Sequence, residues 1–315
     1  MKFLEKFKEI KGDASFRKFY RNTKNNSIIV YAKKEKHKNL LIYDAINKIL
    51  IKNNILAPRL LNQNYKKNYI EIQDFGNETI YQILKKKKFD NFLIMKKIIN
   101  ILNKIQLIKD KRIKNFQKKN YKIKKYDNHI LFNETKLFSE WYVANKLSKN
   151  NLKKFNCKFN NEIKLLISKL NYPNETFVHR DFHVSNLMHI TPNDFALIDN
   201  QDALIGNRAY DLASLVDDVR LRTSSQLKQK IFNYYLSKNR NIKSNEFKND
   251  FDILSVLRNL KIIGIFTRLS KRDNKKKYIK LIPYAWELII YRMSQNKLFN
   301  DLNLLIKENF PKIIH

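Results

Sequence analysis

The sequence predicts a two-lobed α+β fold, with a small β-rich lobe over residues 1–75 and a larger helical lobe over residues 76–315. Two observations set the division. Strand-like alternation and short β-branched runs are confined to the first part. Past Asp74-Phe75-Gly76, apolar residues at three- and four-residue steps take over. A third observation concerns the second lobe. Two very short apolar runs, Phe177-Val178 and Ala196-Leu197-Ile198, bracket a polar stretch, as a β-hairpin beneath a loop does.

The elements follow in order. Ser15 to Tyr20 alternates around aromatic residues and reads as the first strand, after a helical start. Ser27 to Ala32 is the next strand, with Asn22 to Asn26 as the turn between them. Lys38 to Lys52 carries Leu41, Ile42, Ala45, Ile46, Ile49 and Leu50 at helical spacing. Pro58 stops anything helical, and Tyr69 to Ile72 is a further strand. Asp90 caps a helix that runs to Ile108. Lys109 to Asp127 is polar and reads as a long surface loop. Asn133 to Leu147 and Asn160 to Leu170 read as helices, the second ended by Pro173. After Gly206 the pattern is helical through residue 309.

Composition narrows the function classes. A chain of 315 residues, 43% apolar, can bury one large core or two smaller ones. One cysteine, Cys157, cannot form an internal disulfide and suits a reducing compartment. The first residues are charged at almost every other position and lack a signal-peptide core. No apolar stretch approaches the ~20 residues of a membrane span. A cytoplasmic monomer with no membrane partner is expected. The net charge of +35 invites a nucleic-acid partner. However, the lysines are scattered through every segment. Abundant lysine, asparagine and isoleucine with scarce glycine and proline reflect A/T-rich codons. No specific nucleic-acid binding is expected, only a weak attraction that salt removes.

The chemistry lies in His179-Arg180-Asp181-Phe182-His183-Val184-Ser185-Asn186, followed by Leu197-Ile198-Asp199. An aspartate comes first, an asparagine follows, and a second aspartate closes an apolar run. Kinase-like phosphotransferases place a catalytic carboxylate and two metal-binding oxygens in this order. Asp181 is the candidate catalytic carboxylate, which orients an acceptor hydroxyl and takes its proton. Asn186 and Asp199 offer hard oxygens, which suit Mg²⁺ bridging nucleotide phosphates. His179 is expected to brace the loop, and His183 to orient backbone or Asp181. A zinc site at His179 and His183 is the weaker reading, because the flanking strands argue against the helix it needs. Gly12-Asp13-Ala14-Ser15 can bring backbone N–H groups to phosphates, or can be an ordinary turn.

Several stretches together resemble the aminoglycoside phosphotransferase and choline kinase superfamily. Within it, the chain is similar to the bacterial N-acetylmuramate/N-acetylglucosamine anomeric kinase group. The resemblance runs through residues 12–21, Phe138-Ser139-Glu140-Trp141-Tyr142-Val143, residues 179–188, residues 197–206, Ala209-Tyr210-Asp211-Leu212-Ala213-Ser214-Leu215 and residues 258–269. It implies a protein-kinase-like fold, ATP and Mg²⁺ as cofactors, and a small-molecule acceptor, a sugar in the narrower group. It implies Asp181 as the base, Asn186 and Asp199 as metal ligands, and Asp211 as a buried brace of the catalytic loop. Glu71 to Phe75, including Asp74, become the hinge that binds adenine through backbone groups. Gln201, Asp202 and Glu140 sit where an acceptor pocket is expected.

Two departures stand out. Asn200 occupies the position after the metal aspartate, where the family usually has phenylalanine. No lysine lies within Ser27 to Ala32, where related kinases carry a phosphate-pairing lysine. Lys33, Lys34 and Arg17 are near in sequence, and Arg17 joins Gly12 and Ser15 as a nucleotide-site candidate. The expected function is an ATP-dependent kinase of a cell-wall amino sugar, acting at the anomeric hydroxyl. The alternatives are a kinase of another metabolite such as an aminoglycoside or choline, and a basic module associated with tRNA modification.

Overall fold

The computed structural model describes residues 4–10, 16–86 and 90–311. The chain forms two compact units, residues 1–124 with 177–204, and residues 125–176 with 205–315. Residue 76, where the sequence reading divides the lobes, lies inside the first unit.

The first unit is built on a five-stranded antiparallel sheet. Its strands are β1 (Lys8–Ile10), β2 (Lys18–Asn22), β3 (Ser27–Tyr31), β4 (Leu60–Asn64) and β5 (Tyr69–Gln73), ordered β1-β2-β3-β5-β4. The sequence reading missed β1 and β4. β1 is only three residues long and β4 ends in three polar residues, and both are strands because a neighbour pairs with them. The β2–β3 turn narrows to residues 23–26 and ends on Asn26 at φ 52°, a conformation asparagine tolerates. Helix α1 (Lys38–Lys52) packs on the sheet. Its Leu40 and Tyr43 join Ile28, Val30, Ala32, Ile70 and Ile72 in one apolar cluster. Thr79 and Gln82 form a capping box at the start of α2 (Ile80–Lys85). Asp90 caps α3 (Asn91–Gln106), as its sequence position predicts.

The stretch expected to be a long loop contains a hairpin, β6 (Arg112–Lys114) with β7 (Asn120–Lys122). The Asn115 side chain builds its turn by accepting from the Gln117 and Lys119 N–H groups. A second correction concerns the strands around the polar motif. After β8 (Thr176–Val178), β9 (Leu187–His189) begins directly behind Asn186 and pairs with β10 (Phe195–Leu197). The hairpin therefore follows the motif and does not bracket it. Leu197 N–H donates to the Leu56 carbonyl at 2.8 Å, and His189 N–H to the Glu78 carbonyl at 2.9 Å. Lys97 Nζ reaches the Pro192 carbonyl at 2.6 Å. These bonds explain why this segment groups with the sheet. β11 (Leu204–Gly206) comes next in the chain.

The second unit is helical: α4 (Asn128–Leu137), α5 (Lys149–Ser168), α6 (Ala209–Val216), α7 (Ser225–Lys238), α8 (Ser244–Lys271), α9 (Ile282–Ser294) and α10 (Asn300–Asn309). The helix expected over 133–147 starts earlier, at an Asp127 cap. It then widens into a π-helical turn, Phe138–Tyr142. Gly264 of α8 crosses there so closely that a Cβ would lie 2.3 Å from the Leu137 carbonyl carbon. The turn delivers Phe138 into a cluster with Phe155, Phe159 and Trp286. α5 is longer than expected because Phe155 and Phe159 extend the buried stripe of Ile163 and Leu166 toward its start. Among the described residues, no helix is long and apolar enough to cross a membrane.

Asp217, just past α6, is fully buried. It accepts from Lys228 Nζ at 2.8 Å, Arg292 Nε at 2.7 Å and Ser255 Oγ at 2.6 Å. Burial alone would push its carboxyl up. The Lys228 ammonium and Arg292 guanidinium overcome that and hold it below the usual carboxylate range. Two predictions follow from this unit's packing. Asp217→Asn leaves two buried cations undercompensated and should cost about 3–5 kcal/mol in urea unfolding at neutral pH. Because the folded pKa is depressed, this contribution is complete above the ordinary carboxylate range. It is lost as pH falls through the folded value, so parent and variant should converge only in strong acid. Gly264→Ala should cost at least ~1–3 kcal/mol, because the new methyl meets backbone that cannot move aside. The same unfolding measurement reads it.

Candidate active site

The loop between β8 and β9 is shaped by hydrogen bonds within its own sequence. His179 is fully buried. Its Nδ1 accepts from the Asp181 N–H at 3.3 Å, and its Nε2 donates to the Ile198 carbonyl and to Asn200 Oδ1, at 3.2 and 2.9 Å. Both ring nitrogens are thus engaged in bracing the loop, as expected, and neither is arranged as a zinc ligand. His183 N–H donates to the Asp181 carbonyl at 3.0 Å. Asn186 Nδ2 donates to that same carbonyl at 3.0 Å, which directs its amide oxygen elsewhere. Arg180 and Asp199 take left-handed backbone conformations, at φ 76° and 62°. Such conformations are costly for residues with a Cβ and cluster at functional sites.

Asp199 faces Arg17 across the first unit. Arg17 Nη2 lies 2.9 Å from Asp199 Oδ1, and Arg17 Nη1 donates to Asn39 Oδ1 at 2.9 Å. The guanidinium lies over the rings of Phe19 and Tyr43 and is almost fully buried. Gln201 Nε2 donates to Asp199 Oδ1 at 3.1 Å and to Asp202 Oδ2 at 2.6 Å. Among the described residues, these side-chain bonds to Asp199 fall on Oδ1, and 41% of the Asp199 side chain stays open even though protein surrounds it densely. Burial pushes the Asp199 carboxyl up. Arg17 opposes this, while the Asp181 and Asp202 charges add to it. Direct contacts therefore join Arg17, Asp199, Gln201 and Asp202, another joins Asn186 to Asp181, and the Asp181 charge acts on Asp199. Lys33 and Lys34 are exposed.

The remaining candidates are placed as follows. Gly12 and Ser15 lie outside the described residues. Glu71, on β5, accepts from Asn22 Nδ2 at 3.2 Å and from Ser27 Oγ, so its side chain ties strands together. Asp74 accepts from Arg21 Nη2 at 3.0 Å and from Gly76 N–H at 2.8 Å, which fixes the chain after β5. In the second unit, Glu140 is exposed beside Lys136, at 3.5 Å. Trp141 is half-buried there, and Asp211 is buried in α6. The sequence reading missed Asn39, Tyr43 and Asn47 of α1. The available signal was polar: Asp44 and Asn47 interrupt the buried positions of an otherwise apolar helix.

The donor set fits a hard cation. It offers an oriented amide oxygen and an open carboxylate oxygen, with no sulfur or imidazole. Fold and loop define a phosphotransferase of the two-lobed kinase class. The chain belongs to the phosphotransferase enzyme family, whose model matches residues 6–243. It is 25% identical over 303 residues to the N-acetylmuramate/N-acetylglucosamine kinase of Pseudomonas putida, covering 94% of this chain and 86% of that protein. The protein of the same name from Neisseria meningitidis serogroup B is 27% identical over 281 residues, covering 86% of this chain and 80% of its own. Among solved structures, an ADP-bound aminoglycoside phosphotransferase superposes with a TM-score of 0.59 at 12% identity, covering 90% of this chain and 91% of its own.

Arg17→Met removes the cation that opposes burial at Asp199. The Asp199 carboxyl should then titrate at higher pH than in the parent. Carboxyl ¹³C NMR on aspartate-labelled protein reads this directly. An unchanged titration would show that Arg17 does not govern that charge.

Proposed function

We propose that the protein transfers a phosphoryl group from ATP to the anomeric hydroxyl of N-acetylmuramate or N-acetylglucosamine. The observation that carries this reading is similarity to kinases so named along 94% of the chain. The gathered loop residues support it. In this reading the first unit binds the nucleotide, with backbone of Glu71 to Phe75, Asp74 included, meeting the adenine. Gly12 and Ser15 are assigned to phosphate contacts. Arg17 supplies the cation that Lys33 and Lys34, both exposed, do not.

Asn186 and Asp199 would hold Mg²⁺, which when bound neutralises phosphate charge. Asp181 orients the acceptor hydroxyl and takes its proton. An anomeric hydroxyl is more acidic than other sugar hydroxyls, so a carboxylate is a well-matched base. The Asn186 bond to the Asp181 carbonyl couples the metal-side residue to the base, so the two keep one spacing. Gln201 and Asp202 are assigned to acceptor contacts. The exposed thiol of Cys157 suits the reducing cytoplasm, and we assign the enzyme there as a monomer.

Incubation with ATP, Mg²⁺ and each sugar should give a glycosyl phosphate by ³¹P NMR. A 6-phosphate, or turnover only with amines, would overturn the acceptor assignment and leave the kinase standing. Asp181→Asn should lower kcat on the order of 10² to 10⁴ with nucleotide binding retained. A kcat near that of the parent would remove Asp181 as the base.

A further inference from the structure

A continuous polar relay runs from α1 to the Asp181 backbone. Asn47 Nδ2 donates to the Pro58 carbonyl at 3.0 Å. Asn200 Nδ2 donates to Asn47 Oδ1 at 2.8 Å and to the Leu197 carbonyl at 2.9 Å. His179 Nε2 donates to Asn200 Oδ1 at 2.9 Å, and the Asp181 N–H donates to His179 Nδ1 at 3.3 Å. Asn47, Asn200 and His179 are all buried, so each unpaired group would carry its full desolvation cost.

The relay has a direction that chemistry fixes. A proline carbonyl can only accept, so Asn47 must turn its NH₂ toward Pro58 and its oxygen toward Asn200. Asn200 must then donate to Asn47, which leaves its oxygen for His179. That oxygen requires a hydrogen on Nε2. A neutral imidazole with hydrogen on Nε2 carries its lone pair on Nδ1, which is what the Asp181 N–H needs. One-way polarity thus passes from a proline carbonyl to the residue that carries the catalytic carboxylate. A phenylalanine at position 200 could pack against His179 but could not transmit polarity.

We infer that Asn47 and Asn200 are positioning residues. They lock His179 in the Nε2–H tautomer and thereby hold Asp181 in register. Neither touches substrate in this scheme. The inference rests on the reading of Asp181 as the base.

The test uses the full chain and the double variant Asn47→Leu/Asn200→Leu. This replaces both partners of the buried amide pair with apolar groups of similar size, which avoids leaving one amide unpaired. The Pro58 and Leu197 carbonyls lose these donors, so the double variant should melt below the parent, and its kinetics are read well beneath its midpoint. Its kcat should fall at least about tenfold, as small misplacements of catalytic groups do. KM for the nucleotide should stay within about twofold, since this loss is in chemistry and not in ground-state binding. A well-folded double variant with parental kcat would overturn the proposal.

Nitrogen-15 NMR of histidine-labelled parent protein gives a second measurement that needs neither activity nor a folded variant. The neutral His179 ring should show its proton on Nε2. A neutral ring with its proton on Nδ1 overturns the relay. If Asp181→Asn keeps its kcat while His179 shows the Nε2–H signature, the base assignment falls and the relay stands.

Discussion

Asp199 can serve this site only if something offsets the cost of keeping it charged. It lies within electrostatic reach of Asp181 and Asp202 and is closely surrounded by protein. Each of these factors favours the protonated acid. Arg17 is the main charge that opposes them. Its side chain is 4% exposed, and its guanidinium is fixed from several sides, by Asn39 through a hydrogen bond and by Phe19 and Tyr43 through their ring faces. An arginine suits this place better than a lysine. Its planar fork can bond an amide and a carboxylate at once, and its weak hydration lowers the cost of burial.

Helix α1 is what makes that arrangement rigid. Asn39, Tyr43 and Asn47 are spaced four apart, so they line one face over about 12 Å. Asn39 and Tyr43 hold Arg17, and through it Asp199. Asn47 holds Asn200, and through it His179 and the Asp181 backbone. The helix also packs Leu40 and Tyr43 into the sheet cluster. A single rigid element therefore ties the Asp199 side chain and the Asp181 backbone to one frame, the two residues to which the proposed function assigns the chemistry. Core packing and site geometry cannot drift apart, because the same helix carries both.

This division explains what was legible in the sequence. Asp181, Asn186, Asp199, Gln201 and Asp202 fall within one short stretch, so their order and spacing could be read directly. The sheet strands with alternating or β-branched residues could be read as well. β1 and β4 could not, since paired backbone and not side-chain pattern makes them strands. The hairpin within residues 112–122 depends on a single asparagine turn. The contribution of α1 was hidden for a different reason. The apolar stripe marks the side facing the sheet, whereas the other side is buried through polar contacts. Asn47 and Asn200 are 153 residues apart, and Arg17 and Asp199 are 182 apart. The substitution of asparagine for phenylalanine at position 200 was visible, but its meaning needed the partner on α1.

The large positive charge fits the same physical scheme. Among the described residues, the buried cations are Arg17, Arg258, Arg292 and Lys228. Three of the four are arginines, although lysine dominates the composition. Lysine accumulates where an ammonium keeps its water, so the excess is tolerated on the surface and largely kept from the interior. Lys228 is the informative exception. It is buried only with Asp217 and the Val216 carbonyl as partners, and Arg292 shares the same carboxylate. The surface charge can draw anions toward the protein, an effect that reaches only about a Debye length and fades with salt. Recognition has to come from groups that are held in place. In this chain the held cation at the site is Arg17, fixed by α1 and β2, and the solvated lysines around it add attraction without selectivity.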